Sequence, residues 1–289
     1  MKPISQDIKF IIWGIAFAIL WSSASVSAKI GVQSMEPLVL FQFRFILAGA
    51  ILLIYSYFFE DWKIPSKKEF IELSIFGFLN VTLYLSLFVL AITEVTAGIG
   101  SLSTSLGPLL MTILGGLVLG KQTKMIHYLG LFLGFAGVYI AVIPLLGNSN
   151  ATPRGLIYLL FSMLSYSVAS LYYASKKWSL PRFALNGWQV VLGGIFMLPL
   201  TIFFNKKPVI ITLPAVLAII WLIGPVSILA VNIWLRLIKI DTTKASFFLF
   251  LCPIFGFIFS SLILNEPFTV YTVIGLIFVL CGLMFGQKK

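Results

Sequence analysis

Apolar residues run through this chain in long segments that are separated by short polar stretches. An α-helix needs about 20 mostly apolar residues to cross the roughly 30 Å hydrocarbon core of a bilayer. Ten segments reach that length, and we predict a membrane-spanning helix for each: 8–28, 38–59, 70–91, 96–119, 125–146, 154–175, 184–204, 212–235, 243–264 and 267–286. The connections between them are short, so no room is left for a separate soluble domain.

The composition supports the same interpretation. Hydrophobic residues make up 60% of the chain and charged residues only 10%, with a mean hydropathy of +1.07. Soluble proteins average about 25% charged residues. We therefore predict an all-α integral membrane protein, which excludes a soluble enzyme, a nucleic-acid-binding module and a disordered chain.

The positive charge of the chain, formally +11, lies mostly in the connections between the apolar segments. Cytoplasmic connections of membrane proteins are enriched in Lys and Arg. If the N-terminus is cytoplasmic, 15 basic residues lie inside, 4 lie outside and Arg44 lies within a span. We therefore predict a multi-pass protein of the cytoplasmic (inner) membrane with both termini in the cytoplasm.

The chain repeats itself at an interval of 145 residues, which separates Pro108 from Pro253 near the middle of two spans. The same interval relates further pairs: Ser22 and Ser167, Gly49 and Gly194, Ser101 and Ser246, Gly130 and Gly275, Gly137 and Gly282. We predict two repeats, 1–147 and 148–289, with five spans each. Because five is odd, the second repeat is inverted in the membrane, which is a typical basis of alternating access.

Short motifs recur in order along both halves. They are Leu20-Trp21-Ser22, Arg44, Thr96-Ala97, Pro108 and Gly130 to Gly137, then Thr243-Lys244-Ala245, Pro253, Leu264-Asn265-Glu266-Pro267 and Gly275 to Gly282. With these motifs the chain resembles the EamA-type members of the drug/metabolite transporter superfamily along its full length. The resemblance implies a central cavity between two inverted five-helix repeats, walled by spans 1, 3, 4, 6, 8 and 9, with spans 5 and 10 as a scaffold. The chain departs from the family pattern at Lys121, where glutamate is usual.

Polar and aromatic side chains recur at helical spacing on the spans that would wall this cavity. In lipid an unpaired polar group costs several kcal/mol, so such side chains face the bundle interior. We predict that ten of them bind the substrate: Trp21, Ser25, Asn80, Tyr84, Ser105, Tyr166, Ser170, Asn232, Trp234 and Phe248. The alternative is structural, because hydroxyls in membrane helices often bond to the carbonyl one turn back and small residues mark close helix packing.

Proline and glycine interrupt the spans at Gly107-Pro108, Pro225 and Pro253. Proline removes a backbone hydrogen bond from a helix, and broken helices at matching positions of two halves point to a transport site. We predict that these four residues form gating hinges. A static kink that neighbouring helices repair is the alternative.

Arg44 is the clearly intramembrane charge of the sequence. A charge at mid-bilayer costs about 2.5–3.5 kcal/mol even on the lenient insertion scale. One interpretation is a structural ion pair with Glu94 or Glu36 near the outer face. The other is that Arg44 attracts an anionic group of the substrate.

Groups typical of enzymes are missing from the sequence. No Asp or Glu lies in the middle of a span, His127 is the one histidine, and Cys252 and Cys281 form no CxxC motif. No P-loop or dinucleotide fingerprint is present. We therefore predict no enzyme activity, no metal, no cofactor, and neither a nucleotide nor a nucleic acid as partner.

These patterns predict a secondary transporter that takes a small organic metabolite as its small-molecule substrate. A neutral or zwitterionic solute such as an amino acid is favoured, because a phosphorylated substrate would want several cations in the cavity. The resemblance favours efflux. An exchanger of phosphorylated metabolites or nucleotide sugars and a membrane-embedded enzyme of lipid metabolism are the alternatives, and a homodimer stays open.

Overall fold

The computed structural model of the chain describes residues 6–119, 125–146, 151–204 and 208–286, and most of them are helical. Ten helices follow one another within these ranges: α1 (Gln6–Gly31), α2 (Pro37–Phe59), α3 (Lys67–Ile92), α4 (97–119), α5 (Met125–Leu146), α6 (Pro153–Ser175), α7 (Arg182–Phe204), α8 (Leu213–Ile240), α9 (242–264) and α10 (Val270–Gly286). In the same ranges, extended pairing is limited to an isolated bridge between Val95 and Ala151. The predicted all-α membrane fold is confirmed.

Eight of the described helices, α1–α4 and α6–α9, are long and apolar enough to cross a membrane. Helices α5 and α10 hold shorter apolar stretches, Tyr128–Ala141 and Val270–Gly282. The end of α8 differs from the prediction, because the helix continues past residue 235 to Ile240. Arg236 and Lys239 resemble the end of a span in sequence, but Leu237 and Ile238 between them are buried and extend the helix.

Four helices are irregular, and the irregular segments lie at positions that the 145-residue interval relates. Helix α3 contains a π-helical segment at Phe78–Leu83, and α8 contains one at Leu222–Ala230. Helix α4 contains a 3-10 turn at Ser103–Ser105, and α9 contains one at Phe247–Leu251. Such segments inside α-helices often occur at functional hinges and sites.

The four predicted hinge residues lie at these irregular segments. Pro225 is inside the π-helical segment of α8. Gly107 and Pro108 begin the part of α4 that follows its 3-10 turn, and Pro253 follows the 3-10 turn of α9. Proline lacks a backbone N–H and is tolerated where the helical hydrogen-bond pattern already changes. The gating role of these residues stays a prediction.

Helix packing follows the same scheme in both halves of the chain. Helix α1 packs along α8 and α9, and α6, five helices later, packs along α3 and α4. In addition, α2 packs on α7, α4 on α9 and α5 on α10. If each helix in these pairs is replaced by the helix five places along the chain, the same set of packed pairs results, as two repeats predict.

Two predictions concern residues that the structure does not describe. The proposed division between the repeats falls at 147, outside the described ranges. Seven of the basic residues that were counted to predict the orientation also lie outside the described ranges: Lys2, Lys121, Lys124, Lys206, Lys207, Lys288 and Lys289. The division and the orientation therefore stay predictions.

The contact between α5 and α10 brings backbone against backbone. A Cβ atom on Gly137 would lie 2.4 Å from the Gly275 carbonyl oxygen, and one on Gly282 would lie 2.5 Å from the Gly130 carbonyl oxygen. Small residues allow membrane helices to approach this closely. These glycines therefore let α5 and α10 pack closely, which agrees with the scaffold that the resemblance implies.

Candidate functional site

Aromatic rings from four helices meet in the bundle interior. Ring centroids lie 6.0 Å apart for Trp21 and Tyr166, 4.9 Å for Tyr166 and Tyr84, and 5.6 Å for Tyr166 and Trp234. Phe17 stacks on Trp234 at 4.8 Å. All five side chains are buried, and we call them the ring cluster. Four of them are predicted binding residues, and Trp21 and Tyr166 stand 145 positions apart.

The ring cluster nearly closes the central cavity that the resemblance implies. Beside the rings lies a crevice of only about 10 Å³, which Trp21, Ser25, Arg44 and Tyr84 border. Roughly one water molecule fits such a volume, so no metabolite fits there in this conformation. The cavity is closed because large aromatic side chains from opposite sides of the bundle fill the space.

The other predicted binding residues differ in what their polar atoms contact. The Ser170 hydroxyl oxygen accepts a hydrogen bond from Trp234 Nε1 at 3.4 Å. Asn232 Nδ2 donates to the Ile228 carbonyl at 2.7 Å, while its Oδ1 is buried without a hydrogen-bond partner, which is rare in native proteins. Ser105, in contrast, donates to the carbonyl three residues back at 2.7 Å, as the structural alternative predicts.

Phe248 is the predicted binding residue that lies apart from the ring cluster. Its ring centroid is 5.7 Å from that of Phe10 near the start of α1. The ring also covers Gly14, where a Cβ atom would lie 2.2 Å from it. Phe248 therefore packs α9 on α1 about one helical turn before Phe17 and two turns before Trp21, and among the described residues its ring contact is with Phe10 and not with the cluster.

A continuous chain of hydrogen bonds crosses the bundle from the half-buried Asn80 of α3 to the buried Arg44 of α2. Asn80 Nδ2 donates to Gln189 Oε1 at 3.0 Å, and Gln189 Nε2 donates to Asn186 Oδ1 at 2.9 Å. Asn186 Nδ2 then donates to the Ser227 carbonyl at 3.0 Å, and Arg44 Nε donates to the Ser227 hydroxyl at 2.7 Å. The sequence interpretation missed Asn186, although an amide inside an apolar span is a usable signal.

The prediction that Arg44 forms an ion pair with Glu36 or Glu94 is wrong. Glu94 instead forms a salt bridge with Arg154, while Arg44 is 2% exposed and places its guanidinium carbon 5.0 Å from the Phe41 ring centroid. The physical reason is the packing of α2 on α8, which brings Arg44 into the bundle instead of towards the helix ends.

A larger cavity of about 480 Å³ lies where α1 and α3 end and α2 and α6 begin, and we call this the pocket end. Its lining includes Leu90, Tyr158, Glu94 and Arg154. Glu94 also accepts a hydrogen bond from the Thr152 hydroxyl at 2.5 Å. The cavity therefore combines an apolar wall with a charged pair.

Two long-range polar contacts tie helix ends together near the pocket end. Lys29 Nζ donates to the carbonyl oxygen of Ile92 at the end of α3, at 2.8 Å, and to that of Val95 in the connection to α4, at 2.6 Å. Glu266 accepts from the first two backbone N–H groups of α4, at 2.8 and 3.0 Å. Ammonium groups at helix C-termini and carboxylates at N-termini are stabilised by the helix dipole.

Polar links join α3 to the connection after α6 at the opposite end, which we call the clamped end. Glu69 Oε1 accepts from the Ser179 backbone N–H at 2.9 Å and from its hydroxyl at 2.7 Å. Glu72 forms a salt bridge with Lys176 at 3.3 Å. Lys239 from α8 donates to a carbonyl oxygen near the end of α6 at 3.3 Å. These links hold α3, α6 and α8 together there.

A sequence profile of the EamA-like transporter family matches the chain twice, at residues 8–143 and 153–285. The chain belongs to the EamA-like transporter family. It is 27% identical over 275 residues to an uncharacterized transporter of Archaeoglobus fulgidus, with 94% of both chains covered. It is 27% identical over 233 residues to the uncharacterized inner membrane transporter YedA of Escherichia coli, which covers 79% of this chain and 74% of that one. A crystal structure with 16% identity superposes over 96% of both chains with a TM-score of 0.74 and shares the fold.

As an EamA-like transporter, the protein is a multi-pass membrane protein. Its described residues contain the ring cluster, the polar chain and two ends that differ in their contacts. Among the described residues, no group of three or more His, Cys, Asp or Glu side chains is arranged to hold a metal ion.

Proposed function

We propose that this protein is a secondary transporter that moves a small organic metabolite out across the cytoplasmic membrane by alternating access. An amino acid or a similar neutral or zwitterionic solute is the proposed cargo. The ring cluster carries the proposal, because it places aromatic faces from helices of both proposed repeats at one point. Aromatic faces bind planar and apolar bodies well, and sites of such transporters lie at the repeat interface near the bilayer midplane.

The difference between the two ends of the bundle supports alternating access. A cavity of about 480 Å³ lies at the pocket end, while Glu69 and Glu72 link α3 to the α6–α7 connection at the clamped end. In the proposed cycle, the clamp opens as the pocket end closes. The π-helical segments of α3 and α8 are the proposed hinges, because helices at such segments bend readily.

Flux through proteoliposomes tests this proposal. Vesicles that contain the purified protein are loaded with labelled amino acids and compared with protein-free vesicles. Trp21→Ala and Tyr166→Ala each remove a ring of the cluster and should lower flux about tenfold or more, the equivalent of about 1.4 kcal/mol. Phe132→Ala, at a side chain that is 68% exposed on α5, is the control and should leave flux unchanged. Flux equal to that of protein-free vesicles across a broad metabolite panel would refute the proposal.

We also propose that the clamped end faces the cytoplasm, which follows from the predicted positive-inside orientation. Ser66→Cys lies at the clamped end and Thr93→Cys lies at the pocket end, and both residues are exposed. A membrane-impermeant thiol reagent added to intact cells should label Thr93→Cys and spare Ser66→Cys. The reverse labelling would contradict the orientation.

A further inference from the structure

Arg44 carries a charge that the surrounding protein does not balance. It is 2% exposed and lies about 10 Å along α2 from its first residue, at 1.5 Å per residue. Among the described residues, its Nε has a hydrogen-bond partner, Ser227, and no carboxylate forms an ion pair with it. The Phe41 and Phe45 rings lie 5.0 and 5.6 Å from the guanidinium carbon. They lower the cost of burial without neutralising the charge.

A guanidinium has five N–H donors in a planar fork that matches a carboxylate. Burying a charge without a partner costs several kcal/mol in a protein interior. We expect a native protein to keep a buried, unpaired cation where a bound ligand supplies the opposite charge. The unused donors of Arg44 therefore point to an anionic ligand.

The other half of the chain indicates that packing alone does not require this charge. Gln189 stands 145 positions after Arg44, and it joins α7 to Asn80 of α3 through a neutral amide. Arg44 joins α2 to Ser227 of α8 in the corresponding way. A neutral side chain thus makes the same kind of helix–helix link, so the link to Ser227 does not explain why residue 44 is charged.

Arg44 also lies in the right place for substrate. It borders the crevice beside the ring cluster together with Trp21, Ser25 and Tyr84. A guanidinium next to aromatic ring faces matches a ligand that carries a carboxylate on an apolar body. Because the crevice holds only about 10 Å³, the rings must move apart to admit that body.

We propose that Arg44 binds the carboxylate of the transported solute, so that the substrates are organic carboxylates with a compact apolar body. This rests on the proposed function and moves its substrate class from neutral solutes to solutes that carry a carboxylate, amino acids included. One buried cation matches a single negative charge, whereas a phosphate group would call for further cations. Binding of the carboxylate also removes the cost of the uncompensated charge, so the loaded carrier is more stable than the empty one.

The test compares matched carboxylates and amides on the purified full-length protein. Hexanoate and hexanamide, benzoate and benzamide, and leucine and leucinamide are titrated while thermal stability and tryptophan fluorescence are recorded. We expect the wild-type protein to bind at least one carboxylate at least tenfold more tightly than the matching amide, and to be stabilised by that carboxylate. Arg44→Gln should abolish this preference and, without ligand, be at least as stable as wild type. Arg44→Lys should retain part of the preference, and Arg236→Gln, at an exposed arginine, is the control that should retain all of it.

Several results would overturn the proposal: no carboxylate binds, amides bind equally well, phenyl phosphate binds more tightly than benzoate, or the preference survives in Arg44→Gln. A marked loss of stability in ligand-free Arg44→Gln would assign Arg44 a structural role and overturn it as well. Transport of a neutral solute that Arg44→Gln leaves unchanged would overturn this inference and leave the proposed function intact. Carboxylate binding that depends on Arg44, without flux of any solute, would support the inference and refute the proposed function.

Discussion

Replacing Gly137 with alanine tests the contact between α5 and α10. The new Cβ would lie 2.4 Å from the Gly275 carbonyl oxygen and 2.9 Å from Phe278 Cβ, whereas ordinary contacts begin at 3.4 Å. The two helices must therefore separate by about 1 Å, and overpacking of this kind typically costs about 1–3 kcal/mol. Alanine recovers up to about 1 kcal/mol through its higher helix propensity. We expect a net loss of about 1–2 kcal/mol.

Gly115→Ala is the matched control for this prediction. The nearest atom to its new Cβ is Leu171 Cδ2 at 3.9 Å, so the substitution gains helix propensity without a clash and should stabilise by about 0.5–1 kcal/mol. Thermal unfolding of the detergent-solubilised protein should therefore show opposite shifts for the two variants. A melting temperature for Gly137→Ala equal to or above that of Gly115→Ala would refute the reasoning.

Three further predictions concern charged and polar links. Arg154 holds the pKa of Glu94 below its usual value. The stabilisation from this ion pair is therefore fully present at pH values above the ordinary carboxyl pKa of about 4.3 and is lost as the pH falls through the lowered pKa. Lowering the pH should destabilise the wild-type protein more than Glu94→Gln, and parallel curves of stability against pH would contradict this prediction. Glu266→Gln removes a charge from the start of α4 and should cost about 1–2 kcal/mol, measured by thermal unfolding; an unchanged melting temperature would contradict the assigned contact. Ser227→Ala should cost about 1.5–3 kcal/mol in wild type and much less in an Arg44→Gln background, and equal costs in both would show that the two residues do not interact.

The helices and their small-residue contacts were readable from sequence because each depends on local pattern. Ten apolar segments match ten helices, and glycines at matching positions of α5 and α10 meet as expected. The inward position of Trp21 and Tyr166 was also predicted, because the 145-residue interval relates these two rings.

The partners of the polar groups were not readable from sequence, because they depend on helix packing. Arg44 was assigned to carboxylates near the helix ends, yet its partner Ser227 lies 183 positions away on α8. Asn186 was missed since α7 was not expected to contribute to the cavity wall. The sequence also does not determine how tightly side chains from different helices fill the interior, so the small volume of the central crevice could not be foreseen.

The widened turns of α3 and α8 have a consequence for any attempt to edit or graft these helices. Each successive residue of an α-helix is rotated by about 100°, and a π-helical turn accommodates additional chain within one turn. Deleting a single residue at Phe78–Leu83 or Leu222–Ala230 would therefore convert a π-helical turn into an ordinary α-helical turn and leave the later side chains of that helix facing nearly the same way. The same deletion at an ordinary turn earlier in α3 or α8 would rotate every later side chain by about 100°, and Tyr84 or Trp234 would then leave its neighbours. The π-helical segments are therefore the places in these two helices where the removal of one residue disturbs the packing least.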